Sequence, residues 1–220
     1  MFLKATPRLR SVAWLVFSIA ALTTSAAQPP TILVMGDSLS AGYGMSITQG
    51  WVALLEQRLR QEGYEYAVVN ASMSGETTTG GRARLGRALE QHRPAVVILE
   101  LGANDGLRGL PVSTVRANLE AMITQAKSAG ASVLLLGMRI PPNYGEQYSR
   151  EFARMFSELA NKYQVRAVEF FLDKVAMDPS LMQDDQIHPT VQAQPILLDN
   201  VWPQLEPLLT KHMRSKGTGE

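Results

Sequence analysis

Residues 31–40 read Thr31-Ile32-Leu33-Val34-Met35-Gly36-Asp37-Ser38-Leu39-Ser40, an apolar, β-rich run that breaks at a glycine into small polar residues. An unalternating apolar run bounded by glycine suits a strand covered on both faces, as in a parallel sheet. The pattern recurs along the chain. Ala67–Asn70 (AVVN) runs into the small residues Ala71–Gly75, Ala95–Leu101 (AVVILEL) stops at Gly102, and Ser132–Gly137 (SVLLLG) and the weaker Val165–Val168 follow. Between these runs the apolar spacing changes to three and four. Trp51, Leu54, Leu55 and Leu59 form one stripe; Val115, Leu119, Met122, Ile123 and Ala126 form another, with Ser113 or Thr114 as the expected N-cap. Tyr148, Phe152, Phe156, Leu159 and Tyr163 form a third, and a closing helix is expected over Val191–Leu209, entered or kinked at Pro195 and interrupted near Pro203. At this spacing the aromatic and methionine side chains read as core. Strands alternating with helices, with no internal repeat, predict one α/β domain around a parallel sheet.

The domain does not begin at residue 1. Lys4, Arg8 and Arg10 form a basic start, Val12–Leu22 is a short apolar run, and Thr24-Ser25-Ala26-Ala27 supplies small residues for cleavage. That layout predicts a secretory signal over residues 1–27 and a domain over 28–220; the alternative is an uncleaved anchor, for which the apolar run is short. The leader holds three of the 21 Lys+Arg and none of the 20 Asp+Glu, so the remainder carries 18 basic against 20 acidic side chains, a net charge of −2. No basic surface for nucleic acid is left, and there is no GK[ST] loop or GxGxxG opening a helix for a nucleotide. The chain has no cysteine, which excludes disulfides, thiolate metal sites and a cysteine nucleophile. At 220 residues a packed core alone can hold such a domain.

In an open parallel sheet, ligands bind beyond the carboxyl ends of the strands where strand order reverses. Taking the flavodoxin-like order 2-1-3-4-5, the loops after strands one, two and three are neighbours at that point. They carry Gly36-Asp37-Ser38-Leu39-Ser40, Ser74-Gly75-Glu76-Thr77 and Gly102-Ala103-Asn104-Asp105-Gly106. A serine at a strand-to-helix turn is commonplace by itself, since serine favours turns and caps. A catalytic one needs a base. His92 before Arg93-Pro94 and His212 in the polar tail read as surface residues, whereas His188 stands in Asp185-Gln186-Ile187-His188-Pro189. A carboxylate three residues before a histidine can bind its Nδ1–H and leave Nε2 free as an acceptor; the same spacing also suits a plain loop histidine. With Ser38 in the same chain and no cysteine, the catalytic reading is favoured. Gly75, through its N–H, and Asn104, through its amide, then become candidate oxyanion donors beside the Ser38 N–H, although each also fits an ordinary turn.

The four blocks GDSLSAGYGM (Gly36–Met45), NASMSGETT (Asn70–Thr78), ELGANDGLRG (Glu100–Gly109) and DDQIHPT (Asp184–Thr190) together resemble the GDSL/SGNH hydrolase family, collinearly from Thr31 to about Leu209. Within it the chain is similar to bacterial periplasmic thioesterases that also act as lysophospholipase, arylesterase and weak protease. The resemblance implies a three-layer flavodoxin-like fold and no metal or cofactor. It also implies Ser38 as nucleophile, Asp185 and His188 completing a triad, and Ser38, Gly75 and Asn104 as oxyanion hole. One departure is Gln186, where such relatives often carry glycine. The implied partner is a small acyl ester, thioester or lysophospholipid, met by a periplasmic or secreted monomer with no membrane anchor after cleavage. Leu107–Pro111 and Met138–Tyr144, rich in apolar and stiff residues, are expected to line the acyl groove through Leu107, Leu110, Ile140, Pro141 and Tyr144. A carbohydrate acetylesterase would use the same catalytic residues. A metallohydrolase on Asp184, Asp185 and His188 lacks further histidines at ligand spacing. A non-catalytic binding module would have no use for a base aimed at a serine.

Overall fold

The computed structural model describes Met1 and residues 28–210; the expected signal segment and His212 lie outside the described residues. Five strands, β1 (Thr31–Gly36), β2 (Ala67–Asn70), β3 (Val96–Glu100), β4 (Ser132–Leu136) and β5 (Arg166–Val168), form one sheet in the order β2-β1-β3-β4-β5. Every pairing is parallel. The order is the expected one, and each strand lies within a residue or two of its apolar run. β3 is buried at all five positions, as a central strand covered on both faces must be.

The helices are α1 (Ser38–Ala41), α2 (Trp51–Gln61), α3 (Thr78–His92), α4 (Ala103–Leu107), α5 (Val112–Ser128), α6 (Glu146–Tyr163) and α7 (Gln194–Leu205). α2 packs with α7, while α3, α5 and α6 pack in series, so the sheet is the middle of three layers. The aromatic stripe of α6 buries Phe152 and Phe156, which meet edge to face at 5.6 Å between ring centroids, and Trp51 of α2 meets Phe171 in the same manner. Each such side chain contributes about 1.5–3 kcal/mol by leaving water, and this burial carries the fold in a chain without disulfides.

Two local expectations are corrected, and one helix was not anticipated. α5 starts at Val112 rather than after a Ser113 or Thr114 cap, because Pro111 turns the chain in and its carbonyl accepts from Thr114 N and Val115 N. Pro203 does not interrupt α7; the helix runs on to Leu205 and then tightens into a 3₁₀ turn over Glu206–Leu208. α3 carried no apolar stripe in the sequence. It holds Gly80, Gly81 and Gly86, and at Gly81 a Cβ would collide with Leu101, so this helix lies close to the sheet through a missing side chain.

Candidate active site

The end of β1 presses against the end of β3. Gly36 pairs in register with Glu100, and a Cβ on Gly36 would lie 2.7 Å from Glu100 Oε2. Beyond it the chain turns at Asp37, whose Oδ1 accepts from Leu39 N at 3.0 Å and caps the single turn of α1 that begins at Ser38. Glu100 is fully buried; its Oε2 accepts the Ser40 hydroxyl at 2.7 Å and the Asp37 N–H at 3.2 Å. Its Oε1 has no hydrogen-bond partner among the described residues. Burial first, and the Asp37 charge second, push the Glu100 carboxyl well above its ordinary range, which favours its neutral form. Burial also raises Asp37 to about 6, against hydrogen bonds from Leu39 and Asn104 that favour its charge.

The loop after β2 is laced to the same place. Asn70 Nδ2 donates to Ser40 O at 2.7 Å and Met73 N to Gly36 O at 3.0 Å. Gly75 has φ +78, a left-handed conformation that favours glycine. Its carbonyl accepts from Arg108 at 3.0 Å. Buried Asp105 accepts from both Thr78 N (2.9 Å) and Thr78 Oγ1 (2.6 Å), which locks the Gly75 loop to α4. On α4, one residue away, Asn104 donates its amide to Asp37 Oδ2 at 3.0 Å.

The third component arrives from far along the sequence. An antiparallel bridge between Met182 and Pro189 closes the loop that holds His188. Within it Asp185 Oδ1 accepts from Ile187 N (2.9 Å) and His188 N (3.0 Å), and Oδ2 meets His188 Nδ1 at 2.6 Å. The His188 N–H, followed by its ring, lowers the Asp185 carboxyl to about 2. An ionised carboxylate only accepts, so Nδ1 carries the proton and the opposite nitrogen of the neutral ring is an acceptor. That nitrogen, Nε2, lies 2.8 Å from Ser38 Oγ across 150 residues of sequence. Gln186 has φ +56, so the position where relatives often carry glycine demands a conformation glycine adopts readily.

The proposed groove residues separate into three situations. Leu107 and Leu110 are half-buried on and after α4. Ile140 is only 7% exposed and belongs to the core; a Cβ on Gly106 would come within 2.6 Å of its Cγ2, so it props α4 from beneath. Pro141 and Tyr144 are exposed. The tyrosine that reaches the α4 loop is Tyr148, whose hydroxyl donates to Leu110 O at 2.6 Å.

The family model described as GDSL-like Lipase/Acylhydrolase matches residues 34–194, an interval that contains both Ser38 and His188. The chain belongs to that family. This acylhydrolase is 50% identical over 188 residues to esterase TesA of Pseudomonas aeruginosa, covering 86% of this chain and 94% of that protein. It is 43% identical over 188 residues to thioesterase 1/protease 1/lysophospholipase L1 of Escherichia coli, covering 86% and 89%. Its fold superposes on the crystal structure of TesA with a TM-score of 0.80 at 51% identity, covering 81% of this chain and 99% of that one. The GDSL-like acylhydrolase is thus a serine hydrolase acting on esters. Sequence reasoning assigned no role to four of its residues, Asp37, Glu100, Tyr43 and Gln183. Asp37, Tyr43 and Glu100 stand inside the quoted blocks, but nothing in local spacing shows that both carboxyls are buried. Among the described residues no group of three or more His, Asp or Glu could hold a metal ion, and no helix is long and apolar enough to cross a membrane.

Proposed function

We propose that this protein is exported through a signal peptide over residues 1–27 to the periplasm. There it hydrolyses acyl esters and thioesters, including lysophospholipids and aryl esters, through an acyl-enzyme on Ser38. The observation that supports the roles is the 2.8 Å contact between Ser38 Oγ and His188 Nε2, with Nδ1 held 2.6 Å from Asp185. His188 takes the Ser38 proton as Oγ attacks the acyl carbon, and the oxyanion gathers against Ser38 N–H, Gly75 N–H and Asn104 Nδ2. As the bond from carbon to the leaving oxygen or sulfur breaks, His188 hands that proton to the leaving atom. Water then repeats the cycle and releases the acid. Each oxyanion donor is worth roughly 3–4 kcal/mol in comparable sites. The left-handed Gly75 and the Asp37-held Asn104 would present such donors without reorganisation at the moment of reaction.

The names of the relatives, esterase and thioesterase 1/protease 1/lysophospholipase L1, support the substrate range, and half-buried Leu107 and Leu110 support an aliphatic acyl chain. The test is labelling with a fluorophosphonate followed by intact-mass analysis. The wild type should gain one phosphonyl adduct and Ser38→Ala none. Equal labelling of the variant would remove Ser38 as nucleophile.

A further inference from the structure

Ser38 opens α1 and His188 stands on a loop far along the chain, so their 2.8 Å contact lasts only if one segment is fixed against the other. Gln183 makes that connection. Its Nε2 carries two hydrogens and meets two carbonyls, Tyr43 O at 2.9 Å on the loop after α1 and Pro189 O at 2.9 Å beside His188. Only the NH₂ end of the amide can face a pair of carbonyl oxygens, which sets its orientation. The Gln183 backbone N–H donates to His188 O at 2.7 Å, so the same residue braces the turn that carries the imidazole. On the other side Tyr43 N donates to Ser38 O at 3.2 Å, which continues the tie to the serine. The Tyr43 ring lies over the imidazole, with centroids 4.2 Å apart and planes tilted by 31°, and limits its swing. Gly44, at φ +74, makes room for the tie, since a Cβ there would strike the Gln183 amide.

We infer that Gln183 is a positioning residue for acyl transfer, its side-chain amide clasping the loop after α1 to the His188 loop so that Nε2 stays within reach of Ser38 Oγ. The inference rests on the acyl-enzyme reading above and deepens it. The Met182–Pro189 bridge and the Asp185 carboxylate shape the His188 loop from within. Among the described residues, two hydrogen bonds join residues 182–189 to residues 38–46: the Ser38–His188 contact itself and the bond from Gln183 to Tyr43 O. The first is broken and remade in every cycle, as His188 takes up and returns a proton. The second takes no part in the chemistry, so it keeps the two loops in register while the first is open. Misplacing reacting groups by about 1 Å can slow a reaction about a hundredfold, so a clasp at this point acts on rate more than on binding.

The test follows the rate of fluorophosphonate labelling in wild type, Gln183→Met, His188→Ala and the double variant. The rate constant at saturating probe reports the chemical step, and the half-saturating concentration reports binding. Gln183→Met keeps the bulk and removes both hydrogens, so the saturating rate should fall about ten- to a hundredfold with half-saturation little changed. Gln183→Glu, of the same shape and with no hydrogen to give when ionised, should fall at least as far, and thermal melting shows that the variants are folded. Once His188 is gone the clasp has nothing to position, so Gln183→Met should cost no further rate in the His188→Ala background. A wild-type rate in either folded variant, a loss carried by half-saturation, or a full further loss in the His188→Ala background would overturn the inference. Ser38→Ala separates the two layers of argument. If it is labelled like wild type, the acyl-enzyme reading fails; an unlabelled Ser38→Ala beside a fully reactive Gln183→Met removes the role of Gln183 alone.

Discussion

The carboxyl of Glu100 accepts the hydroxyl of Ser40 at 2.7 Å inside the core, beneath the turn that presents Ser38. Trp51 Nε1 in turn donates to Ser40 Oγ at 3.2 Å, so an indole, a hydroxyl and a carboxyl form a buried chain that fixes the floor of the site. Such a chain stabilises only while each member keeps its partner.

Replacing Glu100 by Ala strands the Ser40 hydroxyl and the Asp37 N–H and leaves a hole. The expected cost is about 2–4 kcal/mol in urea unfolding. Glu100→Gln keeps the accepting oxygen and should cost much less. The pH dependence separates charge from shape. A carboxyl raised by folding contributes stability that is complete below its ordinary value of 4.5 and is lost as pH rises toward the folded value. The decline in stability above that pH should therefore be smaller in Glu100→Gln than in wild type. Identical pH–stability curves would show that Glu100 is not held neutral.

At Asp185 the sign is opposite. Folding lowers its carboxyl from 3.8 to about 2, so its contribution is present above 3.8 and is lost as pH falls through about 2. Asp185→Asn should flatten that acid limb in denaturant titrations. Its effect on turnover should be far larger. An asparagine amide donating to Nδ1 leaves the proton on Nε2, which then cannot accept from Ser38, and kcat should fall by roughly 10⁴-fold. A loss under tenfold would mean that the tautomer is set elsewhere.

Thr78→Val removes the 2.6 Å bond to Asp105 Oδ1 and the acceptor that Asn118 Nδ2 uses at 3.1 Å. Leaving these buried groups short of a partner should cost about 1–3 kcal/mol. The Thr78 N–H keeps its bond to Asp105 Oδ2, so the loop that carries Gly75 is loosened from α4 rather than freed, and kcat should fall more than KM rises, read from initial rates on a soluble short-chain ester. A change in KM alone would detach this lock from the oxyanion donors.

Leu110→Ser should reduce kcat/KM for long acyl chains more than for acetyl or butyryl esters of the same alcohol, because about 0.8 kcal/mol is lost per methylene no longer covered. Ile140→Ser is expected to behave differently. With 7% exposure and a place beneath Gly106, it should lower the unfolding midpoint and affect all chain lengths alike. Equal losses across chain length in Leu110→Ser would remove that residue from the acyl groove.

The sheet was legible because its strands are apolar runs that stop at glycine, and continuous burial leaves that mark in composition. The nearness of the loops after β1, β2 and β3 followed from strand order, which sets those three strands side by side. α3 was hidden because its buried face, Thr78, Gly81, Leu85 and Leu89, includes Gly81, where absence of a side chain does the fitting against Leu101. Ile140 shared the apolar character of a groove residue and differs only in which way it faces, a property that loop sequence does not encode. Tyr43 and Gln183 were hidden for another reason: their tie joins positions 140 residues apart, and no local pattern announces it. Gln186 was visible as a departure, and its φ of +56 gives the physical meaning of the residue that relatives often place there.

Ser38 follows the first strand, and His188 precedes the helix that docks on α2, where Gln194 Oε1 accepts from Trp51 N at 3.0 Å. The 2.8 Å contact between Ser38 Oγ and His188 Nε2 therefore joins the two ends of the domain's sequence. On the reading proposed above, a polypeptide that stopped short of residue 188 would own the serine without its base, and only the finished fold would unite them.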